Sequence, residues 1–219
     1  MIQLPEFSRR WEYENFFYLT AEAGRFGKLV AHYELLKLVA ALPGAIVECG
    51  VFKGASLARL IGFRDVLGAQ ASKPIIGFDT FGSFPETKEE KDQLLRARFI
   101  AEAGEESIGK EQLAELLRQK GVADVELVAG DIIQSVPEYV RAHPELSIAL
   151  LNLDTDIYEP AAVALEHFYP RLVAGGILML DDYGVFPGET KAVDEYFQGR
   201  NVKIQRMSNS FGPPYIVKP

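Results

Sequence analysis

The chain has 219 residues, of which 48% are hydrophobic and 25% are charged, a balance typical of one globular domain rather than of a disordered or fibrous chain. Its formal net charge is -8, which argues against a nucleic-acid partner because phosphate binding needs clustered Lys and Arg. No charged segment followed by an apolar stretch opens the sequence, and no apolar run approaches the roughly 20 residues that span a bilayer. We expect a single cytoplasmic domain over residues 1–219, with no membrane partner.

Short apolar runs alternate with segments of helical periodicity, an order that predicts βαβ units. A helix that ends before Pro43 is followed by an apolar run at 45–48, and a second helix starts at about Ser56. Further apolar runs predict strands at 74–78, 125–128, 147–153 and 176–180. Their continuous apolar character is typical of parallel strands that are buried on both faces.

The last part of the chain predicts an antiparallel end to this sheet. Residues 202–206 and 215–218 are two candidate closing strands, and the connection between them through the Gly-Pro-Pro turn is too short for a helical crossover. The predicted fold class is therefore α/β and Rossmann-like, with a mostly parallel seven-stranded sheet, one reversed strand and helices on both faces.

Two segments lie outside the alternating pattern. Residues 87–120 are charged and helical in character, with a possible capping box formed by Thr87 and Glu90, so we expect residues 82–121 to form a helical decoration over the sheet. Residues 1–28 are rich in aromatic side chains. This segment is expected to cover a pocket, to form a subunit contact in a homodimer, or to pack on the core.

A glycine-containing turn follows the first predicted strand and leads into a helix. It contains Glu48, Gly50, Val51, Gly54 and Ser56. Its glycines let the backbone pass close to a ligand, and the helix N-terminus offers free N–H groups to an anion. The spacing lacks the third glycine of the G-x-G-x-x-G dinucleotide fingerprint, which disfavours NAD. A plain βα turn is the alternative.

Acidic residues also follow the second and third predicted strands. Asp79 stands where a carboxylate can accept the hydroxyl protons of a ribose, at the strand end where doubly wound sheets bind ligands. Asp131 follows Gly130 and is a candidate partner for an exocyclic amino group. Either residue alone would more often be a solvated strand end or a helix cap.

Four carboxylates follow the fourth and fifth predicted strands, namely Asp154, Asp156, Asp181 and Asp182. Carboxylates at neighbouring strand ends repel one another, and a bound cation relieves that repulsion. Because only oxygen ligands are on offer, a hard ion such as Mg²⁺ is favoured over zinc. Strand alternation would turn Asp182 away from Asp181, so the strand must end near Asp181 if both bind metal.

Four segments of the chain resemble the macrocin O-methyltransferase family, a group of class I methyltransferases. They are LPGAIVECGVFKG (42–54), FDTF (78–81), LDTD (153–156) and LDDY (180–183). The resemblance extends from about residue 30 to residue 200. It implies an S-adenosylmethionine-dependent enzyme that methylates a hydroxyl of a sugar or glycosylated natural product. It also implies that residues 82–121 contact the acceptor. Because few residues precede the first helix, we expect a reduced lid over the acceptor.

The resemblance also implies a role for each matching position. The implied cofactor-binding residues are Glu48, Gly50, Val51, Gly54, Ser56, Asp79 and Asp131. Of these, Glu48, Gly50 and Gly54 would surround the methionine part, Asp79 the ribose and Asp131 the adenine. Asp154, Asp181 and Asp182 match the metal ligands, and Asp156 matches the general base.

Several functions remain as alternatives to this hypothesis. A catechol or phenol is the second candidate for the hydroxylated small-molecule acceptor. A subunit that binds the cofactor without transferring its methyl group is a second class of function. A nucleotide-dependent oxidoreductase is a third, and the missing glycine opposes it.

Overall fold

The computed structural model describes residues 2–208 and 212–219. The strands are β1 (Ala45–Cys49), β2 (Ile75–Asp79), β3 (Val125–Ala129), β4 (Ile148–Leu153), β5 (Leu172–Leu180) and β6 (Tyr215–Val217). The α-helices are α1 (Arg10–Thr20), α2 (Ala23–Val39), α3 (Ala55–Val66), α4 (Glu90–Ala103), α5 (Lys110–Gln119), α6 (Ile132–Ala142), α7 (Tyr158–Phe168) and α8 (Pro187–Phe197). Short 3-10 helices lie at Phe7–Arg9, Gln70–Ser72 and Tyr169–Arg171.

The strands form one sheet in the order β3-β2-β1-β4-β5-β6. The first five are parallel and β6 is antiparallel to β5. The chain order therefore reverses direction at β1, because β2 and β3 extend to one side of it and β4 to β6 to the other. Ligands bind in such sheets at this reversal point, outside the carboxyl ends of the strands.

The predicted reversed strand is confirmed, but the predicted seventh strand is wrong for the residues that the structure describes. Residues 202–206 make only an isolated antiparallel bridge, between Gln205 and Tyr215. Two backbone hydrogen bonds of 2.8 and 2.9 Å close this bridge. Pro213 and Pro214 lack an N–H group, so the pairing cannot extend from Tyr215 towards the turn.

Helices cover both faces of the sheet, and side chains alternate between two apolar clusters. In β1, Val47 and Cys49 face the cluster formed with α6, α7 and α8, whereas Ile46 faces the cluster formed with α2, α3 and α5. This alternation follows from the two-residue period of a strand. Each side chain of this kind that is fully buried stabilises the fold by about 1.5–3 kcal/mol.

The two segments outside the alternating pattern differ in how closely they pack. Residues 87–120 contain α4 and α5, as expected. The capping box predicted from Thr87 and Glu90 does not form, because the N-cap of α4 is Glu89 and not Thr87. The Thr87 hydroxyl instead donates to Glu159 at 2.9 Å. Helix α1 buries none of its side chains. No described helix combines the length and the apolar character that a membrane span requires.

Candidate active site

The loops at the carboxyl ends of the parallel strands enclose a cavity of about 450 Å³. Backbone hydrogen bonds continue past the strand ends and hold these loops in register. Asp154 N–H donates to the Cys49 carbonyl and Asp181 N–H donates to the Leu153 carbonyl, both at 2.9 Å. A cavity of this size falls in the range of small-molecule and cofactor sites.

The glycine turn forms one wall of the cavity, and Gly50 has a conformation that only glycine adopts without strain. Its φ is +90°, and a Cβ atom at this position would lie 1.7 Å from the Asp154 carbonyl oxygen. The turn after β1 and the loop after β4 can therefore touch only because residue 50 lacks a side chain. Val51 and Ser56 also line the cavity, whereas Gly54 packs against Leu113.

Asp79 lines the same cavity, and its carboxylate also holds the glycine turn in place. One oxygen accepts hydrogen bonds from the N–H groups of Val51 and Phe52, at 2.8 and 2.9 Å. The other accepts from Phe81 N–H at 2.7 Å and from the Thr80 hydroxyl at 3.3 Å. Three backbone N–H groups thus hold this carboxylate, whereas the single proton of the Thr80 hydroxyl has a nearer acceptor in the Ser83 carbonyl, at 3.1 Å.

Asp131 and Glu48 occupy very different environments. Asp131 is exposed at the cavity rim, where it caps α6 by accepting from Ile133 N–H at 3.0 Å. Glu48 is fully buried behind the cavity wall, and its Oε1 accepts from the Asn152 amide at 2.9 Å. Burial raises the pKa of Glu48 to about 7. Its Oε2 has no hydrogen-bond partner among the described residues.

Asp154, Asp181 and Asp182 form a cluster that we call the acidic triad. Each can offer one carboxylate oxygen such that the three oxygens lie within 4.8 Å of one another. Strand β5 ends at Leu180, so both aspartates that follow it can turn toward Asp154. Asp181 Oδ1 and Asp182 Oδ2 are buried and have no hydrogen-bond partner in the described part of the chain. Convergent carboxylate oxygens without partners fit a hard divalent cation.

Two basic side chains of α2 face Asp181. The Lys28 ammonium donates to Asp181 Oδ2, and His32 Nε2 lies 3.9 Å from Asp181 Oδ1. Burial alone would raise the pKa of Asp181, but His32 and Lys28 outweigh it and lower that pKa to about 2. Burial raises the pKa of Asp154, and the charge of Asp181 raises it further.

Asp156 lines the cavity beside the triad in a strained conformation. Its φ is +61°, a region that residues with a side chain rarely adopt. Burial and the charge of Asp154 raise the pKa of Asp156 to about 7, against a hydrogen bond with Asp182 that lowers it.

A model of the Macrocin-O-methyltransferase (TylF) family matches residues 25–208. The chain belongs to this family. The 8-demethyl-8-(2,3-dimethoxy-alpha-L-rhamnosyl)-tetracenomycin-C 4'-O-methyltransferase of Streptomyces olivaceus is 30% identical over 149 residues, which are 66% of this chain and 54% of that relative. The demethyldecarbamoylnovobiocin O-methyltransferase of Streptomyces niveus is 28% identical over 164 residues, which are 71% of this chain and 58% of that relative. The chain thus matches little more than half the length of each relative.

A solved structure supports the same family assignment. The crystal structure of CalS11, a calicheamicin methyltransferase, superposes with a TM-score of 0.78 at 27% identity and covers 94% of this chain and 84% of that chain. The predicted Rossmann-like methyltransferase fold is therefore confirmed, with six strands in place of seven among the described residues.

One buried residue of this macrocin O-methyltransferase family member, Glu189, is not among the site residues predicted from the sequence. Glu189 in the first turn of α8 is fully buried. Its carboxylate accepts from Asp182 N–H at 3.0 Å and, more weakly, from Thr155 N–H at 3.4 Å. It therefore links the two loops that carry the acidic triad. A lone acid near a helix start resembles a common dipole-stabilising residue, so its position in the sequence carried no signal of this role.

Aromatic side chains form another part of the cavity lining, which we call the aromatic wall. Phe52, Phe84, Phe99 and Phe186 line it, together with Pro85. Phe99 belongs to α4, and its ring lies 5.3 Å from the Phe52 ring and 5.7 Å from the Phe84 ring, measured between centroids. The predicted acceptor region at 82–121 thus contributes side chains to the cavity, but nothing in these side chains identifies one acceptor.

Proposed function

We propose that this chain is an S-adenosylmethionine-dependent O-methyltransferase that acts on a hydroxyl of a glycosylated natural product. The observation that carries the proposal is the position of the acidic triad, which lies on the same cavity as the glycine turn, with Gly50 in contact with Asp154. Family membership supports the reaction class. The Streptomyces olivaceus relative is named as the 4'-O-methyltransferase of a rhamnosyl compound, which supports a sugar as the acceptor.

The cofactor would lie along the glycine turn and supply an electrophilic methyl group. Gly50, Val51 and Ser56 line this part of the cavity. Gly54 starts α3, and Glu48 lies behind the wall, where its unpartnered Oε2 is available to a polar group of the methionine part. Both residues belong to the proposed cofactor site through the turn that they shape.

The nucleoside part of the cofactor would extend toward the ends of β2 and β3. Asp131 is exposed at that rim and retains an acceptor oxygen for an amino group. Asp79 can accept from a ribose hydroxyl at the oxygen that faces the Thr80 hydroxyl, because that hydroxyl can donate to the Ser83 carbonyl instead. In this proposal Asp79 both holds the glycine turn and binds the ribose.

Asp154, Asp181 and Asp182 would hold a divalent cation, preferably Mg²⁺, which lowers the pKa of an acceptor hydroxyl that it binds. Asp156 lies beside them on the cavity wall and would take the hydroxyl proton. The protein contributes mainly alignment, because it fixes the acceptor oxygen in line with the methyl group. A catechol is a second candidate acceptor, since the aromatic wall can stack against a planar ring.

The role of Asp156 is tested with the Asp156→Asn variant. We expect this variant to bind S-adenosylmethionine with unchanged affinity in calorimetry and to lose most of its turnover, because the amide cannot accept the proton. Asp194→Asn, an exposed carboxylate on α8, is the matched control and should keep full turnover. Normal turnover by Asp156→Asn would remove Asp156 from the mechanism.

The reaction class and the metal are tested together on a panel of glycosides, vicinal diols and catechols. We expect methyl transfer to a sugar hydroxyl that stops after thorough chelation and returns when Mg²⁺ is added. Activity that survives chelation would assign the triad another purpose. Cofactor binding with no transfer to any acceptor would instead favour the non-catalytic subunit.

A further inference from the structure

Lys28 is placed to neutralise the acidic triad from the helical layer behind it. It lies one helical turn before His32 on α2, and both side chains face Asp181. The Lys28 ammonium donates to Asp181 Oδ2, so only Oδ1 of that carboxylate remains without a partner. Burial lowers the pKa of Lys28, but the charges of Asp154, Asp181 and Asp182 outweigh burial, so that pKa is raised. The direct contact of Lys28 with the triad is its ion pair with Asp181.

We propose that Lys28 is an internal counter-ion of the acidic triad, which holds the three carboxylates together in the metal-free protein and withdraws when a divalent cation binds. The inference rests on the metal site of the proposed function. It adds that the chain carries its own competitor for that site.

The Lys28 ammonium and a divalent cation held by the triad would compete for the same Asp181 carboxylate. A magnesium ion bound by the triad would lie about 2.1 Å from a carboxylate oxygen of each residue, and the ammonium already contacts one oxygen of Asp181. Two positive charges beside one carboxylate repel each other strongly in a buried site. Lysine differs here from His32, because the Lys28 side chain is 23% exposed whereas that of His32 is fully buried. Lys28 can move and His32 cannot.

The structure also provides space for the withdrawn ammonium. A second cavity of about 360 Å³ adjoins the first, and Lys28 and Asp181 line both. Tyr183, Gly184 and Arg206 form part of its wall, so the withdrawn ammonium would share this cavity with the Arg206 guanidinium. The flexible four-carbon stem of Lys28 can swing its ammonium from the triad into this second cavity without a change in the backbone.

The proposal is tested by titrating the full chain with Mn²⁺ alone and measuring the dissociation constant by calorimetry. We expect Lys28→Met to bind Mn²⁺ at least about tenfold more tightly than the unmodified chain, a difference of about 1.4 kcal/mol, because the competing charge is gone. Lys28→Arg keeps the charge and should not show this gain. Lys53→Met is the matched control, since Lys53 lines the same cavity but contacts the Ala103 carbonyl, and its affinity should be unchanged.

A second readout is the thermal midpoint, Tm, of the same proteins. Without metal, Lys28→Met should have a lower Tm than the unmodified chain, because the triad repulsion is unrelieved. Saturating Mn²⁺ should remove that difference. Equal or weaker Mn²⁺ binding by Lys28→Met would overturn the counter-ion proposal and leave the metal site intact. If neither protein binds Mn²⁺, the metal assignment fails and the counter-ion proposal fails with it.

A measurement on the unmodified chain covers the case in which the variant does not fold. Lysine acetylation by an N-hydroxysuccinimide ester is followed by peptide mass spectrometry, with Lys53 as the internal reference. We expect Lys28 to be acetylated slowly in the metal-free protein and faster when Mn²⁺ is added. A Lys28 rate that does not respond to Mn²⁺ would overturn the proposal.

Discussion

Asp92 links helix α4 to the first turns of helices α7 and α8. Its side chain is fully buried, and its two oxygens accept from Gly188 N–H at 2.7 Å and from Tyr158 N–H at 3.1 Å. These N–H groups lie in the first turns of α8 and α7, where no intrahelical partner exists. Asp92→Asn preserves the volume but leaves one oxygen to accept, so one of the two N–H groups would face an amide NH₂.

The loss of one hydrogen bond to a buried charged acceptor costs about 1.5–3 kcal/mol, so we expect the free energy of unfolding to fall by about 2 kcal/mol. For a chain of this size that corresponds to a decrease in Tm of about 4–8 °C. The effect should be concentrated in α4. Because α4 carries Phe99 on the aromatic wall, the KM for the acceptor should rise while cofactor affinity stays constant.

Denaturant unfolding and hydrogen exchange measure these effects directly. Glu90→Gln is the matched control, since Glu90 lies in the same helical turn but is exposed, and its substitution should change neither readout. Amide exchange within 90–103 should accelerate in Asp92→Asn alone. If Asp92→Asn unfolds at the same denaturant concentration as Glu90→Gln and protects α4 equally well, the buried carboxylate does not hold this helix.

Three further changes test other parts of the site. Glu189→Ala should weaken Mn²⁺ binding in calorimetry by about tenfold or more, because a lost outer-shell contact lets the triad loops drift; unchanged affinity would contradict this. Gly50→Ala should fail to fold or lose several degrees in Tm, since its Cβ would lie 1.7 Å from the Asp154 carbonyl oxygen, and a normal melting curve would contradict the close contact. The folded-state pKa of Glu48 is raised from 4.5 to about 7, so its stabilising contribution is complete below pH 4.5 and is lost as the pH rises through 7. Glu48→Gln should therefore abolish a fall of about 3 kcal/mol between pH 5 and pH 8 in the free energy of unfolding, and a slope equal to that of the unmodified chain would refute it.

The strands and the acidic strand ends could be predicted from the sequence because their signals are local. A buried parallel strand is a continuous apolar run, and the residue after it lies at the ligand-binding edge of the sheet. Asp154 and Asp181 were found in this way. The requirement that β5 end near Asp181 for Asp182 to join them is met, because the strand ends at Leu180.

The residues that support the site could not be predicted, because their role depends on packing between distant elements. Asp92 stands 96 residues before Gly188, and Lys28 stands 153 residues before Asp181. In the sequence both are charged residues on helices, where most charged residues are solvated. Only the packing of α4 and α2 against other elements buries Asp92 and brings Lys28 to Asp181. The prediction of a seventh strand was wrong for a related reason. The extent of pairing at Gln205 depends on the backbone groups that face it across the proline turn, and not on the residues around Gln205 alone.

The cavity concentrates backbone strain, and the sheet below it offsets that strain. Among the described residues, Phe52, Phe81 and Asp156 are the ones other than glycine that have a positive φ, and each lies in a loop that follows a parallel strand. Each such conformation costs about 1–3 kcal/mol and persists only where the surroundings enforce it. Asp79 supplies part of that enforcement, because it accepts from the N–H groups of Phe52 and Phe81.

Through these contacts the Asp79 carboxylate stabilises the strained loops after β1 and β2. If Asp79 were only a ribose ligand, its removal would weaken cofactor binding and leave the fold of the ligand-free protein unchanged. Because three backbone N–H groups donate to it, Asp79→Asn should instead also loosen the loops after β1 and β2 before any ligand is present. Hydrogen exchange at Val51, Phe52 and Phe81 in the ligand-free protein separates the two cases, and unchanged exchange there would reduce Asp79 to a ligand alone. The turn that is proposed to receive the cofactor is thus pre-organised by Asp79, the same acid that is proposed to bind the ribose.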